Sequence, residues 1–588
     1  PGGLLNLVAH GNLNVIINGN PTKTFFKTTY AKHTNFGLQK FKIDFDGLKV
    51  LRLTEDSKFS FKIPRYADLL MDTYLAITLP TIWSPVFHRG GGSAERSEIC
   101  PYEFKWIDNL GAQLIRKVRY MIGGQIIQEF TGQYLYNMVQ RDFSEGKKKL
   151  FNEMIGNVPE LNDPANYSNR NGYYPNARYY SEEVGGAEPS IRSKTLYIPL
   201  NIWSTLSSKM AIPLVCLQYN YLHIEIECRP IQELFVIRDV LNVSYENIYS
   251  SGPIDPSSGL IGGWRNPDHS QNNHEYHNDL FNNHVHEYKF KNNTKYIKPD
   301  QNVEEYKFFR FLHPPPENVR GRSDDDYPSI RSDWYANIHL ISTYGFLSEP
   351  EVRSFAANPQ KYLIKEVHEE IVYDVVGNKN TRINSNGMVI SWMWFFQRSD
   401  VDLRNEWSNY TNWPYKELPF PNREFERSQI DGGIIVNLGI KDSGPYKLEN
   451  QRDIMMEWGF TLDGKIRETN FEAGVFNLIE KYVRTAGNSD LGLYCYNFCL
   501  NTDPFQHQPS GAINLSKFSN IEFDYKVYTP ALDPSAQTFV ICDSDGGIVG
   551  INKSTWKLYQ YDYTLHVMEE RYNILSFESG NASLQFSR

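Results

Sequence analysis

Cysteine is scarce in this chain: six residues (Cys100, Cys216, Cys228, Cys495, Cys499 and Cys542) among 588. Their irregular spacing excludes the disulfide framework of a small secreted domain. Surplus positive charge is missing as well. Sixty Lys and Arg stand against 69 Asp and Glu, a formal net charge of -9 and a pI of about 5.9. Such a chain lacks the electrostatic footprint of a protein that coats nucleic acid, so no direct contact with a genome is expected. No apolar run reaches the roughly 18–20 residues that a helix needs to cross a bilayer. The opening Pro1-Gly2-Gly3-Leu4-Leu5 has neither the charged nor the apolar region of a secretory signal, and the expectation is a soluble protein made in the cytosol. Enzyme signatures are absent too: no Walker loop, no Gly-x-Ser-x-Gly elbow, no His-Glu-x-x-His and no Cys-x-x-Cys. Carboxylate pairs for glycoside hydrolysis stay open, because they meet in space and not in sequence.

What is abundant points to strands. Aromatic residues make up 14%, with 38 Tyr and 34 Phe, while 40 Gly and 31 Pro are spread along the chain as turns require. A chain of this length exceeds one ordinary core, so two or more domains are expected. Period-two alternation recurs, as in Leu222-His223-Ile224-Glu225-Ile226-Glu227-Cys228 and Ile521-Glu522-Phe523-Asp524-Tyr525-Lys526-Val527. It marks strands with one face buried and one solvated. Further strands are predicted at 40–46, 58–63, 73–79, 115–122, 334–343, 389–396, 434–439, 454–461 and 538–542. Helices are predicted only at about 66–71, 132–142, 350–356 and 471–481.

An internal echo organises these elements. Val118-Arg119-Tyr120-Met121-Ile122-Gly123-Gly124-Gln125 and Trp458-Gly459-Phe460-Thr461-Leu462-Asp463-Gly464-Lys465 both read as strand, tight turn and returning strand, followed by a short helix. Glycine suits such turns because two-residue hairpins need positive φ. An apolar strand follows each unit, Leu196–Leu200 in one and Leu493–Phe498 in the other, and each closes on one of the alternating strands above. The expectation is two β-sandwiches of one topology, residues 25–230 and 231–588, preceded by a segment 1–24. The second would carry a polar insertion at about 245–330. Shorter polar insertions lie at 86–99 and 157–190.

Several groups invite chemical readings. His269, His274, His277, His284 and His286 crowd one stretch, and imidazoles at such spacings can meet at a metal. No cysteine lies nearby and the surroundings are Asn-rich, so a polar surface insertion is the favoured reading and His274, His277, His284 and His286 remain weak candidates. Cys495 and Cys499 on one strand would lie about 13 Å apart, too far to pair, and read as small buried residues. Asp324-Asp325-Asp326 and Asp543-Ser544-Asp545-Gly546 do not match a calcium loop. Asn-x-Ser/Thr occurs at Asn166, Asn242, Asn292, Asn409, Asn514, Asn552 and Asn581, with no site assigned. No catalytic residue and no cofactor is expected.

A family likeness enters at the N-terminal third. Gly2-Gly3-Leu4-Leu5-Asn6-Leu7-Val8-Ala9-His10-Gly11, Asn18-Gly19-Asn20-Pro21 and Thr24–Phe36 resemble the opening of major capsid proteins of nucleocytoplasmic large DNA viruses. Ile63–Leu70, Ile77-Thr78-Leu79-Pro80 and Ile122-Gly123-Gly124-Gln125 resemble strands of that family's first jelly roll. Leu462–Lys465, His507-Gln508-Pro509-Ser510-Gly511 with Asn514-Leu515-Ser516, and Tyr572–Leu575 with Ser579-Gly580 are similar to its second. Departures lie in the insertions and at Ala31-Lys32, where paired arginines are common.

The resemblance implies a mainly β fold of two tandem eight-stranded jelly rolls with long loop insertions and a few short helices. It also implies a homotrimer shaped as a pseudo-hexagonal capsomer, set among neighbouring capsomers, minor capsid proteins and penton proteins in an icosahedral virion, assembled in the host cytoplasm. The family's N-terminal segment faces the inner membrane and minor proteins, which makes Leu4, Leu5, Leu7, Val8, Val15, Ile16 and Ile17 the docking candidates. Outer loops would carry glycans or meet a host or fibre. Competing readings are a lectin-like carbohydrate-binding sandwich and a β-sandwich glycoside hydrolase.

Overall fold

Alternating residues become one-sided sheets. In Leu222–Cys228 the four apolar positions are buried and the His and Glu positions between them half-buried, and Ile521–Val527 repeats this. The computed structural model describes residues 2–84, 86–89, 98–170, 174–175, 177, 188–239, 296, 298–302, 306–314, 327–413, 416, 426–431, 434–441, 451–488, 490–529, 538–542, 548–553 and 561–586.

The first sandwich is built from β1 (Phe36–Asp44), β2 (Ser57–Lys62), β3 (Leu69–Thr78), β4 (Ile115–Ile122), β5 (Gln125–Phe130), β6 (Thr195–Pro199), β7 (Leu222–Cys228) and β8 (His339–Leu347). One sheet runs β1-β8-β3-β6 and the other β2-β7-β4-β5, antiparallel throughout. The second sandwich comprises β9 (Gln360–Val375), β10 (Asn378–Arg382), β11 (Met388–Arg398), β12 (Met455–Leu462), β13 (Lys465–Glu472), β14 (Leu493–Asn497), β15 (Ile521–Val527) and β16 (Tyr563–Glu578). Its sheets run β9-β16-β11-β14 and β10-β15-β12-β13. The two orders match strand for strand, which is a jelly roll made twice.

The echoed turns are the same device. Gly123 and Gly124 have φ of 59° and 83°, and Asp463 and Gly464 have 48° and 75°. Both central positions are left-handed, as the turn that suits strand twist demands.

Three expectations need correction. The break near residue 230 is displaced, because β8 lies between β1 and β3, pairing Phe41 with Ser342 and Leu75 with Leu340. The chain passes to the second sandwich only after Leu347, and the stretch between Asp239 and Trp334 joins two strands of the first. The echo misled because it stopped at β7 and β15, one strand short of closure in each copy. Secondly, residues 66–71 are not a helix: β3 starts at Leu69 and pairs with β8 and with Ile212–Pro213. Thirdly, the strand expected over 334–343 is two, Trp334–Tyr335 and β8.

The cores differ in reach. Trp392, Trp394, Trp458, Phe460, Tyr494 and Phe523 fill the second sandwich, with Trp394 stacked on Trp458 at 4.4 Å. The other core fills the first sandwich and continues across the joint to Met393, Phe395 and Met568, on the outer face of the second. The two jelly rolls therefore share apolar packing.

Candidate assembly surfaces

The joint between the sandwiches is organised by the helix Gly132–Asp142, which follows β5 directly. The Thr131 side chain caps it, accepting from Tyr134 N at 3.2 Å. Gly132 is required by space, since a Cβ there would stand 1.8 Å from the Ala112 carbonyl oxygen. The helix lies across the outer face of β9, β16 and β11. Thr131 donates its N–H and hydroxyl to Glu369 Oε1 at 3.0 and 2.9 Å. Tyr134 donates to Glu570 Oε1 at 2.8 Å, and Asn137 lies against Met568 Sδ at 3.8 Å.

Arg141 closes the far end of this contact and is 1% exposed. Its guanidinium donates to Asp142 at 2.6 Å, to Glu570 at 2.8 Å and to Ser391 Oγ at 3.1 Å. Ser391 and Thr502 hydroxyls donate to Glu570 and Asp142 at 2.7 and 2.6 Å. Burial is the largest influence on Glu570 and opposes its ionisation, but the Arg141 and Lys365 charges and the hydrogen bonds from Ser391 and Arg141 together outweigh it and hold the carboxyl below its usual range. Burial wins at Asp142 and raises it. At Glu369 burial pushes the carboxyl up to about 7, against the pull of the two Thr131 donors. Farther along, Asn405 donates to the Gln232 and Phe235 carbonyls, and the Trp407 indole to that of Glu233.

The N-terminal segment contrasts with this. Gly3–Val8 and Asn12–Asn18 form two helices with no buried residue. Leu4, Leu5, Leu7, Val8, Val15, Ile16 and Ile17 are all exposed, as are Leu13, Phe25 and Phe26, with Ile17 at 81% and Phe26 at 98%. Helices of six and seven residues are too short to persist alone in water. The first acidic residue of the chain is Asp44, whereas Lys23, Lys27 and Lys32 precede it. This acid-free, apolar arm was legible in composition, yet only its apolar half enters the sequence reading.

A second exposed apolar face follows β13. There Val475–Ile479 winds as a π turn and Glu480–Arg484 as an α-helix. Phe476 and Lys481 point inward, and burial pulls the Lys481 ammonium down to about 8. Leu478, Ile479, Tyr482 and Val483 face out, Tyr482 at 92% exposure. Sequence reasoning finds this helix but not its exposed side.

Other candidates fare differently. His269, His274, His277, His284 and His286, like Asn242, Asn292 and the aspartates at 324–326 and 543–545, lie outside the described residues. Among the described residues no group of three His, Cys, Asp or Glu is placed to hold a metal. Cys495 and Cys499 are buried free thiols, with Cys499 beyond the end of β14, and burial raises Cys495 to about 11. Asn409 is buried, its amide donating to the Trp413 carbonyl and accepting from Thr411. Asn166, Asn514 and Asn581 bond to Asp163, Ser516 and Asn220.

Comparison with known proteins agrees with this architecture. Residues 24–259 match the family described as major capsid protein N-terminus, and residues 351–583 match the large eukaryotic DNA virus major capsid protein. The major capsid protein of Phaeocystis pouchetii virus is 25% identical over 606 residues, covering 100% of this chain and 99% of its own. That of Chrysochromulina ericina virus is 24% identical over 640, covering 100% of each. A chain of the PBCV-1 virus capsid superposes with a TM-score of 0.55 at 17% identity, over 96% of this chain and 100% of that one. The Faustovirus major capsid protein gives 0.54 at 10% identity, over 96% and 94%. At such identities the two structures speak for the double jelly-roll fold. The chain belongs to the major capsid protein family of large eukaryotic DNA viruses, a structural family and not an enzyme family.

Proposed function

We propose that three copies of this chain close into a pseudo-hexagonal capsomer, and that these capsomers tile the icosahedral shell of a large DNA virus. The observation that carries the reading is the strand-for-strand duplication within one chain, locked by a buried joint. Two similar wedges per chain give six around a threefold axis, so neighbours meet through near-equivalent contacts. The N-terminal arm is the inner docking element: Leu4, Leu5, Leu7, Val8, Val15, Ile16 and Ile17 settle on minor capsid proteins or an internal membrane, and Lys23 with Lys27 and Lys32 just beyond the arm favours an acidic surface. Capsomers join other capsomers and penton proteins, assembly occurs in the host cytoplasm, and outer loops of the capsomer meet glycans, fibres or a host.

The test is solution mass combined with negative-stain imaging of the full chain. A hexagonal particle near three times 68.2 kDa is expected. A stable monomer that binds or cleaves glycans would replace the shell reading with a lectin or a glycosidase.

A further inference from the structure

The chain contains one jelly-roll joint and the unmatched halves of a second. The helix after β5 is buried against the sheet β9-β16-β11, where it meets Glu369, Met568, Glu570 and Ser391. The helical segment after β13 occupies the corresponding place in the second jelly roll, yet Leu478, Ile479, Tyr482 and Val483 are exposed there. These four positions fall at i, i+1, i+4 and i+5, one face of a helical turn. Strand correspondence also gives the matching receptor. β9, β16 and β11 correspond to β1, β8 and β3, a sheet whose outer face is exposed along β1 and half-buried at Asp72, Tyr74 and Ile341. On it Phe36, Leu38 and Lys40 are exposed, Asp72 lies 3.8 Å from Lys40, and Tyr74 and Ile341 are half-buried partners in register.

We infer that the apolar face Leu478–Val483 of one copy docks on the β1-β8-β3 face of the next copy, repeating between chains the contact that the helix Gly132–Asp142 makes within one. The occupant is a second copy of this chain because the receptor is the internal duplicate of a sheet already seen bound to this kind of helix. The polarity is head to tail, so the contact closes a ring when repeated three times. Large apolar side chains left in water on both halves supply the driving force. The inference deepens the trimer reading and rests on it.

The experiment uses the full chain in sedimentation velocity. Leu478→Asp/Tyr482→Asp on the helix and, separately, Leu38→Asp on the receptor are compared with Leu4→Asp/Leu7→Asp in the arm. All these positions are exposed, so the monomer should fold, which far-UV circular dichroism and unfolding midpoints check. Each half-site variant is expected to raise the dissociation constant of the trimer by roughly 30-fold or more, the scale of losing one anchor at an interface centre. The arm variant should leave it unchanged. Tyr482→Cys combined with Leu38→Cys should give a reducible ladder of two and three chains, which neither single variant gives. A trimeric wild type whose helix and receptor variants stay trimeric overturns this inference alone, as does dissociation by the arm variant only. A monomeric wild type overturns the trimer reading and this inference with it.

Discussion

Two residues of the joint, Glu369 and Arg141, show how burial turns a contact into a pH-sensitive or fragile one. Glu369 has a folded value of about 7 against 4.5 for the free side chain, with burial as the leading cause. Between those values the folded chain holds a proton that the unfolded chain has lost, so stability falls as pH rises from 4.5 through 7. The full effect is on the order of 3 kcal/mol. Glu369→Gln keeps an acceptor for Thr131 and removes the titration. Thermal unfolding at pH 5.5 and pH 8 should show the variant gaining more relative to wild type at pH 8 than at pH 5.5. An equal shift at both would mean that Glu369 does not titrate in this range. Arg141→Ala leaves the buried Glu570 and Asp142 carboxylates facing each other and should cost about 3–5 kcal/mol in urea unfolding. The triple change Arg141→Met, Asp142→Leu, Glu570→Leu should recover most of that loss, because no charge is then left unpaired. Neither residue was legible as a joint residue in the sequence, since Arg141 and Glu570 are 429 positions apart and no local pattern links them.

Elements were legible where burial is one-sided. β7 and β15 alternate cleanly and so expose a period that sequence records, whereas the helix Gly132–Asp142 was read with its observed bounds although it is buried almost all round. β8 is buried on both faces over much of its length, so it carries no period that would tie it to the first sandwich. The apolar run Leu69-Leu70-Met71 has helical composition, and pairing with β8 overrides it. The same elements make contrasting predictions about glycine. Gly132→Ala drives a methyl into the Ala112 carbonyl and should destabilise by about 3 kcal/mol, at the upper end for overpacking. Gly146→Ala, in the helix Glu145–Met154 with nothing within 4 Å, should stabilise by roughly 0.5–1 kcal/mol. Unfolding midpoints of the two variants check the sign. The arm is the element least tied to its own fold, so removing residues 1–24 should leave trimers intact while shell assembly fails. Loss of trimers on truncation would instead make the arm part of the capsomer contact.

Whether the two jelly rolls behave as one body follows from where the cores end. The second has an interior of its own, closed by Trp392, Trp394 and Trp458. The first does not stop at its own sheets, because its core runs on to Met393, Phe395 and Met568 on the outside of its neighbour. Separating the two would expose that apolar layer to water and break the buried Arg141–Glu570 pair, so the joint should not open before the sandwiches melt. Calorimetry at fixed oligomeric state should therefore give one transition for wild type, with equal calorimetric and van't Hoff enthalpies. Met568→Asp combined with Arg141→Ala removes the apolar seam and the ion pair together while sparing the aromatic interior of the second jelly roll. Its trace should split in two, the upper transition belonging to that interior. Two transitions in the wild type would mean that the wedges are independent, and a capsomer built from them would need its rigidity from contacts between chains.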